Sequence, residues 1–250
     1  EVSDGLARVA IERPHVLNAL DLETGRAWTA AVEEALANPA VKALMLSGVE
    51  EAFCAGGDVE AISTQSSDYV RELAEVVGVG IAALHDSAIP VVGAIKGVVA
   101  GGGLGLLLST DVAVASEGAK FAALYANIGL TPDLSVSAQL SEAVGERRAL
   151  ELLLTPRTLS ADEALQWGLV SHVVPIAEVE NKAAEIARAW IEGAGKAYGQ
   201  AKQLIRGRGS SSFDEQLAKE AATISEAFDR PDAAALIRKF LSRQTQRSHG

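Results

Sequence analysis

Two glycine-rich segments contain the residues whose types and spacing suit catalysis. The first is Phe53-Cys54-Ala55-Gly56-Gly57-Asp58, and the second is Gly101-Gly102-Gly103-Leu104-Gly105, at the start of a predicted short helix. Consecutive glycines let a backbone N–H approach a ligand closely, and a helix N-terminus adds positive partial charge. Two such N–H groups facing one another would form an oxyanion hole. Tight turns and close helix–strand packing would produce the same pattern.

Asp133 is the carboxylate whose surroundings are most suggestive. The run Thr131-Pro132-Asp133 predicts the N-cap, first and second positions of a helix. An acidic residue there is explained by the helix dipole alone. The same position would keep a catalytic carboxylate ionised and able to act as base or nucleophile. The residues leave both interpretations open.

Several other chemistries are not supported by any motif. The chain has no G-x-G-x-x-G, no G-K-[ST] after a glycine loop, and no G-x-S-x-G. The four histidines show no metal-ligand spacing, and a single cysteine, Cys54, can form neither an intramolecular disulfide nor a cysteine-based zinc site. We therefore predict no metal site, and we interpret Cys54 as a small buried hydrophobic residue.

The composition predicts a globular protein of one large domain, or one domain with an appendage. The chain has 250 residues, 48% of them hydrophobic, and 33 acidic against 22 basic residues give a net charge of -11. This charge argues against nucleic acid or an anionic membrane as the main partner. One cysteine and no apolar run near 20 residues predict a cytoplasmic location, although Glu1 is not an initiator methionine and leaves a removed segment open.

The elements that must position these residues alternate in the first half, which predicts the α/β class. Strands are predicted at Ala7–Ile11, Val41–Ser47, Pro90–Ile95 and Asp111–Ala115, and helices at Leu22–Ala37, Arg71–His85, Leu104–Ser109, Glu178–Ile191 and Lys196–Ile205. Beyond Val174 only helices are predicted. One of them, with a capping box from Ser212 to Glu215, presents an apolar stripe for which a partner subunit is a suitable cover.

Taken together, the motifs resemble those of the crotonase, or enoyl-CoA hydratase/isomerase, family over essentially the whole chain. The motifs are Glu12-Arg13-Pro14 with Asn18-Ala19-Leu20, the two glycine segments with Lys96-Gly97 before the second, Ala119-Lys120-Phe121, Ile128-Gly129-Leu130, and Leu154-Thr155 to Gly168-Leu169-Val170. The resemblance implies a ββα spiral core, placed at residues 1–175, and a C-terminal helical region for trimerisation at residues 176–250. A homotrimer or a dimer of trimers is expected.

The resemblance also implies the substrate and the site. It implies an acyl-CoA thioester whose oxygen is bound by the N–H groups of Gly57 and Gly102, with Asp133 as the third catalytic residue. No separate cofactor is expected, because coenzyme A is part of the substrate. The predicted substrate contacts are Leu17, Ala19, Ala55, Gly56, Asp58, Gly101, Gly105, Tyr125 and Arg243, the last reaching the coenzyme A phosphates from a neighbouring subunit.

The chain departs from the family's hydratases, which use two glutamates to activate water. The matching positions here are Gly105 and Tyr125. Asp133 instead matches the aspartate of two other branches. Leu130-Thr131-Pro132-Asp133 is similar to isomerases of phenylacetate breakdown, while Glu146–Glu151 and Trp167–Ser171 are similar to 4-chlorobenzoyl-CoA dehalogenases.

The two branches need different residues. A dehalogenase needs a histidine, expected near Gly78, and a tryptophan where this chain has Tyr125. Aromatic residues make up only 4% of the chain, which is few for a pocket that binds an aryl ring. An isomerase needs one carboxylate and an oxyanion hole. We therefore predict an enoyl-CoA isomerase with Asp133 as proton shuttle. The alternatives are a dehalogenase-like hydrolase with Asp133 as nucleophile and a non-catalytic acyl-CoA-binding trimer.

Overall fold

The computed structural model describes the backbone of residues 1–247 and the side chains of residues 1–242. The strands are β1 (Val2–Ser3), β2 (Leu6–Ile11), β3 (Ala43–Gly48), β4 (Ala52–Cys54), β5 (Val91–Ile95), β6 (Val98–Ala100), β7 (Val112–Ser116), β8 (Lys120–Ala122), β9 (Thr158–Ser160) and β10 (His172–Val174). The helices are α1 (Leu22–Ala37), α2 (Val59–Ser63), α3 (Ser67–Asp86), α4 (Gly102–Leu108), α5 (Val136–Val144), α6 (Glu146–Leu154), α7 (Ala161–Trp167), α8 (Val179–Glu192), α9 (Gly195–Arg206), α10 (Phe213–Phe228) and α11 (Pro231–Arg247). Arg243 is thus in the last helix, but its side chain lies outside the described residues.

The strands form two sheets. The larger has the order β1-β2-β3-β5-β7-β10 and is parallel except for the β1–β2 pair. The smaller has the order β4-β6-β8-β9, with only β8 and β9 antiparallel. The central strand β5 is buried at all five positions, as expected for a parallel sheet covered on both faces.

The chain repeats one unit as it passes between the sheets. In β3–β4, β5–β6 and β7–β8, the first strand joins the large sheet and the second joins the small one, and helices follow each pair. Successive units place equivalent strands side by side, which builds a spiral. The helices that follow differ greatly in length, since α3 has 20 residues and α4 has seven, so no period is visible in the sequence.

The small sheet was not predicted. The sequence analysis predicts no strand at any of its four positions, β4, β6, β8 and β9. Each of these strands has three residues, too few for alternation to be visible. The consequence matters for function, because β4 and β6 lead directly into the two glycine-rich segments.

The C-terminal helices differ in what they contact. Helix α8 buries Val179, Ala183 and Ala187 against the large sheet and so completes the core. Helices α10 and α11 leave large apolar side chains exposed, among them Phe213 at 78% and Phe240 at 61%. The predicted capping box of Ser212 and Glu215 is confirmed. Trimerisation through these helices stays a prediction.

No helix within residues 1–247 is both long and apolar enough to cross a membrane. No group of three or more histidine, cysteine, aspartate or glutamate side chains in that part of the chain could hold a metal ion.

Candidate active site

The first glycine segment is held in place by the stretch of chain before α1. The Leu20 N–H donates to Gly56 O at 2.7 Å, and the Asp58 N–H donates back to Leu20 O at 2.9 Å. The Ala55 N–H donates to Leu17 O at 3.1 Å. Leu17 is half-exposed, as a residue that lies along a ligand must be. These bonds form a short ladder that fixes the backbone on both sides of Gly57.

Arg13 strengthens this ladder, and the sequence analysis did not identify it as a site residue. Its guanidinium pairs with Asp58 Oδ2 at 3.1 Å and with Asp21 Oδ2 at 3.0 Å, and it donates to Ala19 O at 2.7 Å. Asp58 is buried and also accepts from the Ala61 N–H as the N-cap of α2. The side chains of Ala19 and Asp58 therefore face the protein, and in this chain both residues hold the loop that precedes α2.

The two glycine segments lie against one another, as the oxyanion-hole prediction requires. Gly56 has φ +96°, and a Cβ there would lie 2.7 Å from Ala100 O and 3.1 Å from Gly102 N. Only glycine allows so close an approach. A Cβ on Gly101 would be 3.9 Å from Gly56 Cα. The loop that carries Gly57 thus meets the start of α4.

The N–H groups of Gly57 and Gly102 donate to no acceptor among the described residues. Gly102 is the first residue of α4, and the first N–H groups of a helix have no partner within it. Two unpaired donors on adjoining backbone segments suit the binding of a carbonyl oxygen that gains negative charge.

The carboxylate of Asp133 lies beside this pair of donors. Its Oδ1 would be 3.5 Å from a Cβ placed on Gly102. The Tyr125 hydroxyl donates to the same Oδ1 at 2.7 Å, and no other described residue bonds Oδ2. Asp133 is exposed to solvent, although enough protein surrounds its carboxyl group to disfavour the charged form. One oxygen is therefore held by Tyr125 and the other is not held by a neighbouring residue.

The surroundings shift the pKa values of three neighbouring groups. Burial raises the pKa of Asp133, and the hydrogen bond from Tyr125 partly opposes that rise. Burial and the Asp133 charge raise the pKa of Tyr125, which stays a hydrogen-bond donor at neutral pH. Burial raises the pKa of Cys54 to about 12, and Cys54 is fully buried, as predicted. The site thus combines a carboxyl group of raised pKa with two neighbours that stay neutral at neutral pH.

The predicted helical position of Asp133 is wrong. Helix α5 begins at Val136, and the two residues before it have positive φ, 47° for Leu134 and 64° for Ser135. The chain makes a left-handed turn between Asp133 and the helix, so Asp133 is neither in a first turn nor a cap. Nothing in the residue types of Leu134-Ser135 indicates this turn, because left-handed backbone is rare for both. The helix-dipole interpretation of Asp133 is thereby removed.

This turn also fills the space in front of Gly105. A Cβ at residue 105 would overlap the carbonyl oxygen of Leu134 and would lie 2.8 Å from Leu134 Cβ. Gly105 is buried, so its contact is with the Asp133 turn, and the predicted substrate contact is not what the structure places there. A glutamate at 105 and this turn exclude one another.

Comparisons with known proteins agree with this architecture. A family model described as enoyl-CoA hydratase/isomerase matches residues 1–247. The short-chain-enoyl-CoA hydratase of Clostridium acetobutylicum is 31% identical over 240 residues, which cover 96% of this chain and 92% of the relative. The 4-chlorobenzoyl coenzyme A dehalogenase-2 of an Arthrobacter species is 31% identical over 252 residues, 99% of this chain and 91% of the relative.

A solved structure shows the same fold. The enoyl-CoA hydratase/isomerase from Cupriavidus metallidurans CH34 matches with a TM-score of 0.88 at 28% identity, covering 97% of this chain and 92% of that one. The predicted α/β spiral core with C-terminal helices is confirmed. The chain belongs to the enoyl-CoA hydratase/isomerase, or crotonase, family of enzymes.

Proposed function

We propose that this enzyme is an enoyl-CoA isomerase in which Asp133 moves a proton between two carbons of an acyl-CoA thioester. The N–H groups of Gly57 and Gly102 would hold the thioester oxygen. The observation that supports this most is the position of the Asp133 carboxylate, whose Oδ1 accepts from Tyr125 and would lie 3.5 Å from a Cβ placed on Gly102, while no other described residue bonds Oδ2. Coenzyme A is part of the substrate, and the reaction uses no separate cofactor.

The reaction balances without any further reactant. Asp133 Oδ2 takes a proton from the carbon between the thioester and the double bond, and the electron pair moves onto the thioester oxygen. The two N–H groups stabilise that oxyanion, each by about 3–4 kcal/mol if they act as in known enzymes. The protonated Asp133 then returns the proton to the far end of the dienolate, and the double bond moves by one position.

The surroundings of Asp133 serve this cycle. A raised pKa makes the carboxylate a stronger proton acceptor. The neutral hydroxyl of Tyr125 keeps Oδ1 occupied, which leaves Oδ2 as the atom that would exchange the proton with the substrate. Tyr125 therefore acts as a positioning residue for the base.

Water addition is disfavoured by the structure of this chain, although the relatives include enzymes named hydratases. Gly105 has no carboxylate, and the overlap with Leu134 leaves no room for one. Tyr125, at the second position, is used to bind Asp133. Asp58, the other carboxylate of the glycine-rich motifs, pairs with Arg13 and caps α2, so Asp133 is the carboxylate that is left to act as base.

A dehalogenase-like hydrolysis is the second candidate, and the 31% identity to the Arthrobacter 4-chlorobenzoyl coenzyme A dehalogenase favours it. Asp133 Oδ2 is free to attack a ring carbon. The expected position of the water-activating histidine is Gly78, which supplies no imidazole. No described histidine bonds Asp133, so the isomerase is the better supported of the two.

Mass spectrometry of acyl-CoA thioesters incubated in deuterated water tests the proposal. The panel contains 2-enoyl, 3-enoyl, ring-unsaturated and 4-halobenzoyl thioesters, each with wild type and Asp133→Asn. Double-bond migration with deuterium entering an enoyl chain, in wild type only, is the expected result. Halide loss would move the enzyme to the second candidate, and a mass gain of one water would refute the argument from Gly105. Binding without turnover of any thioester would favour a non-catalytic acyl-CoA-binding protein.

A further inference from the structure

Arg206, the last residue of α9, forms hydrogen bonds with two elements that position the site. Its Nη1 donates to Gln139 Oε1 of α5 at 2.7 Å. Its Nη2 donates to Thr110 O at 2.9 Å, and both nitrogens lie near Leu108 O, at 3.4 and 3.5 Å. Asp111 Oδ1, at 3.2 Å, balances the charge. One guanidinium thus joins α5 to the end of α4.

The contact with α5 continues to the turn that carries Asp133. Gln139 is buried, and its Nε2 donates to Ser135 Oγ at 2.6 Å. Ser135 Oγ in turn donates to Leu134 O at 2.5 Å. Leu134 and Ser135 are the two left-handed residues, so these bonds hold a backbone conformation that side-chain-bearing residues otherwise avoid.

The bonds from Arg206 to the end of α4 act on the helix that carries the Gly102 N–H. Leu108 ends this helix, Thr110 follows it, and Gly102 begins it. A cation bound to the last carbonyl groups of a helix stabilises that end and fixes its position. Because α4 has only seven residues, a displacement of its end at Leu108 should move the whole helix and so displace Gly102 as well.

We propose that Arg206, acting through Gln139 and Ser135, is a positioning residue that fixes the Asp133 turn relative to the Gly102 N–H. The catalytic purpose of this positioning rests on the proposed function, whereas the hydrogen bonds of Arg206, Gln139 and Ser135 do not depend on it. Separate residues supply the base and the oxyanion donor, and Arg206 is bonded to the supports of both. Catalysis needs reacting groups held within a fraction of an ångström, so loss of this link lowers turnover more than substrate binding.

Lys202 provides a matched control on the same helix. It is buried, pairs with Asp111 Oδ2 at 2.9 Å and donates to Ile89 O at 2.9 Å. It bonds neither Gln139 nor the carbonyl groups at the end of α4. Lys202→Met therefore removes a buried ion pair of α9 without breaking the link to Asp133.

Hydrogen exchange of the unliganded enzyme measures the turn without any assumption about the reaction. The reporter is the Val136 N–H, which donates to Asp133 O at 2.9 Å across the turn. We compare wild type, Gln139→Leu, Gln139→Met and Lys202→Met. Gln139→Met keeps the length of the side chain and loses the bonds to both Arg206 and Ser135, so it stays informative if Gln139→Leu does not fold. Exchange at Val136 should accelerate by about two- to tenfold in both Gln139 variants, the range for one lost hydrogen bond.

Kinetics on the thioester that wild type converts give the second readout. In the Gln139 variants kcat should fall about 10–100-fold with KM changed less than threefold, as expected for misplaced reacting groups. Ser135→Ala should cost less in Gln139→Met than in wild type, because part of its effect acts through Gln139. Lys202→Met should lower the thermal midpoint with unchanged kcat.

Unchanged Val136 exchange in the Gln139 variants would overturn the inference, and so would equal acceleration in Lys202→Met. If the exchange result holds and no thioester is converted, the proposed function fails and the positioning of the turn stands. If wild type is an isomerase and Gln139→Met keeps its kcat, the function stands and the positioning role fails.

Discussion

Replacing Gly105 by alanine tests the relation between α4 and the Asp133 turn. Gly105 lies in the middle of α4, where alanine usually stabilises a helix by about 0.5–1 kcal/mol. Here the added methyl group would overlap Leu134 O and lie 2.8 Å from Leu134 Cβ. Both are atoms of a turn fixed by its own hydrogen bonds, so they cannot move aside as the end of a flexible side chain would.

The magnitude follows from these two opposing effects. Forcing a methyl group into a filled core costs about 1–3 kcal/mol, which exceeds the gain in helix propensity and leaves a net loss of about 1–2 kcal/mol. For a chain of this length that loss corresponds to a fall in the melting temperature of about 2–8 °C. Displacement of Asp133 from its place beside Gly102 should lower kcat about 10–100-fold.

Gly78→Ala is the matched control. Gly78 lies in the middle of α3, and nothing is within 4 Å of a Cβ there. The same chemical change should therefore raise the melting temperature by about 2–4 °C through helix propensity alone, with kcat unchanged.

Differential scanning calorimetry and the deuterium-incorporation assay measure both variants side by side. The two variants should change stability in opposite directions, and only Gly105→Ala should lose activity. A Gly105→Ala variant as stable as Gly78→Ala and fully active would show that Leu134 does not fill this space. The case against a glutamate at 105, and with it the case against water addition, would then be lost.

Three further predictions concern the base and the oxyanion hole. Burial raises the pKa of Asp133 in the folded state, so ionisation of this carboxyl group opposes folding as pH rises through that pKa. Urea unfolding should therefore find Asp133→Asn at least as stable as wild type at pH 7, and any advantage should be gone by about pH 3. If Asp133 were instead a helix cap, the same substitution would lower stability. Tyr125→Phe removes the bond that favours the carboxylate, so the acidic limb of the kcat/KM profile should move to higher pH, and a limb that moves down or stays would contradict the geometry. Gly57→Pro deletes an oxyanion donor and should reduce kcat about 10²–10³-fold while Gly57→Ala, which keeps the N–H, retains most activity; circular dichroism checks that both fold.

Much of the fold could be predicted because its long elements carry strong periodic patterns. Helix α1 has the predicted bounds, and four strands of the large sheet, β2, β3, β5 and β7, lie within one or two residues of the predicted ones. The short edge strands β1 and β10 were not predicted. The small sheet could not be predicted, since three-residue strands leave no pattern. Its existence is a tertiary effect, because each short strand pairs with a neighbour that is distant in sequence.

The candidate site was predicted in part. The family motifs identify Gly57, Gly102 and Asp133, and the structure brings Asp133 and Gly102 together. The position of Asp133 in the chain was not predictable, because Thr131-Pro132-Asp133 is a common helix start and the left-handed turn after it depends on bonds to Gln139. Arg13 was quoted only as part of a motif, and its ion pairs with Asp21 and Asp58 join segments that the sequence does not show to be adjacent.

The missing glutamates could suggest an enzyme that has drifted out of use, but the structure argues for a coordinated replacement. A drifted site would leave the space in front of residue 105 empty and residue 125 without a role. Instead Leu134 fills that space, and the residue next to it is the carboxylate that Tyr125 binds. The same turn that excludes a glutamate at 105 delivers Asp133 beside the Gly102 N–H. Restoring one glutamate would therefore not restore a hydratase, because the side chain at 105 and the base at 133 compete for the same volume.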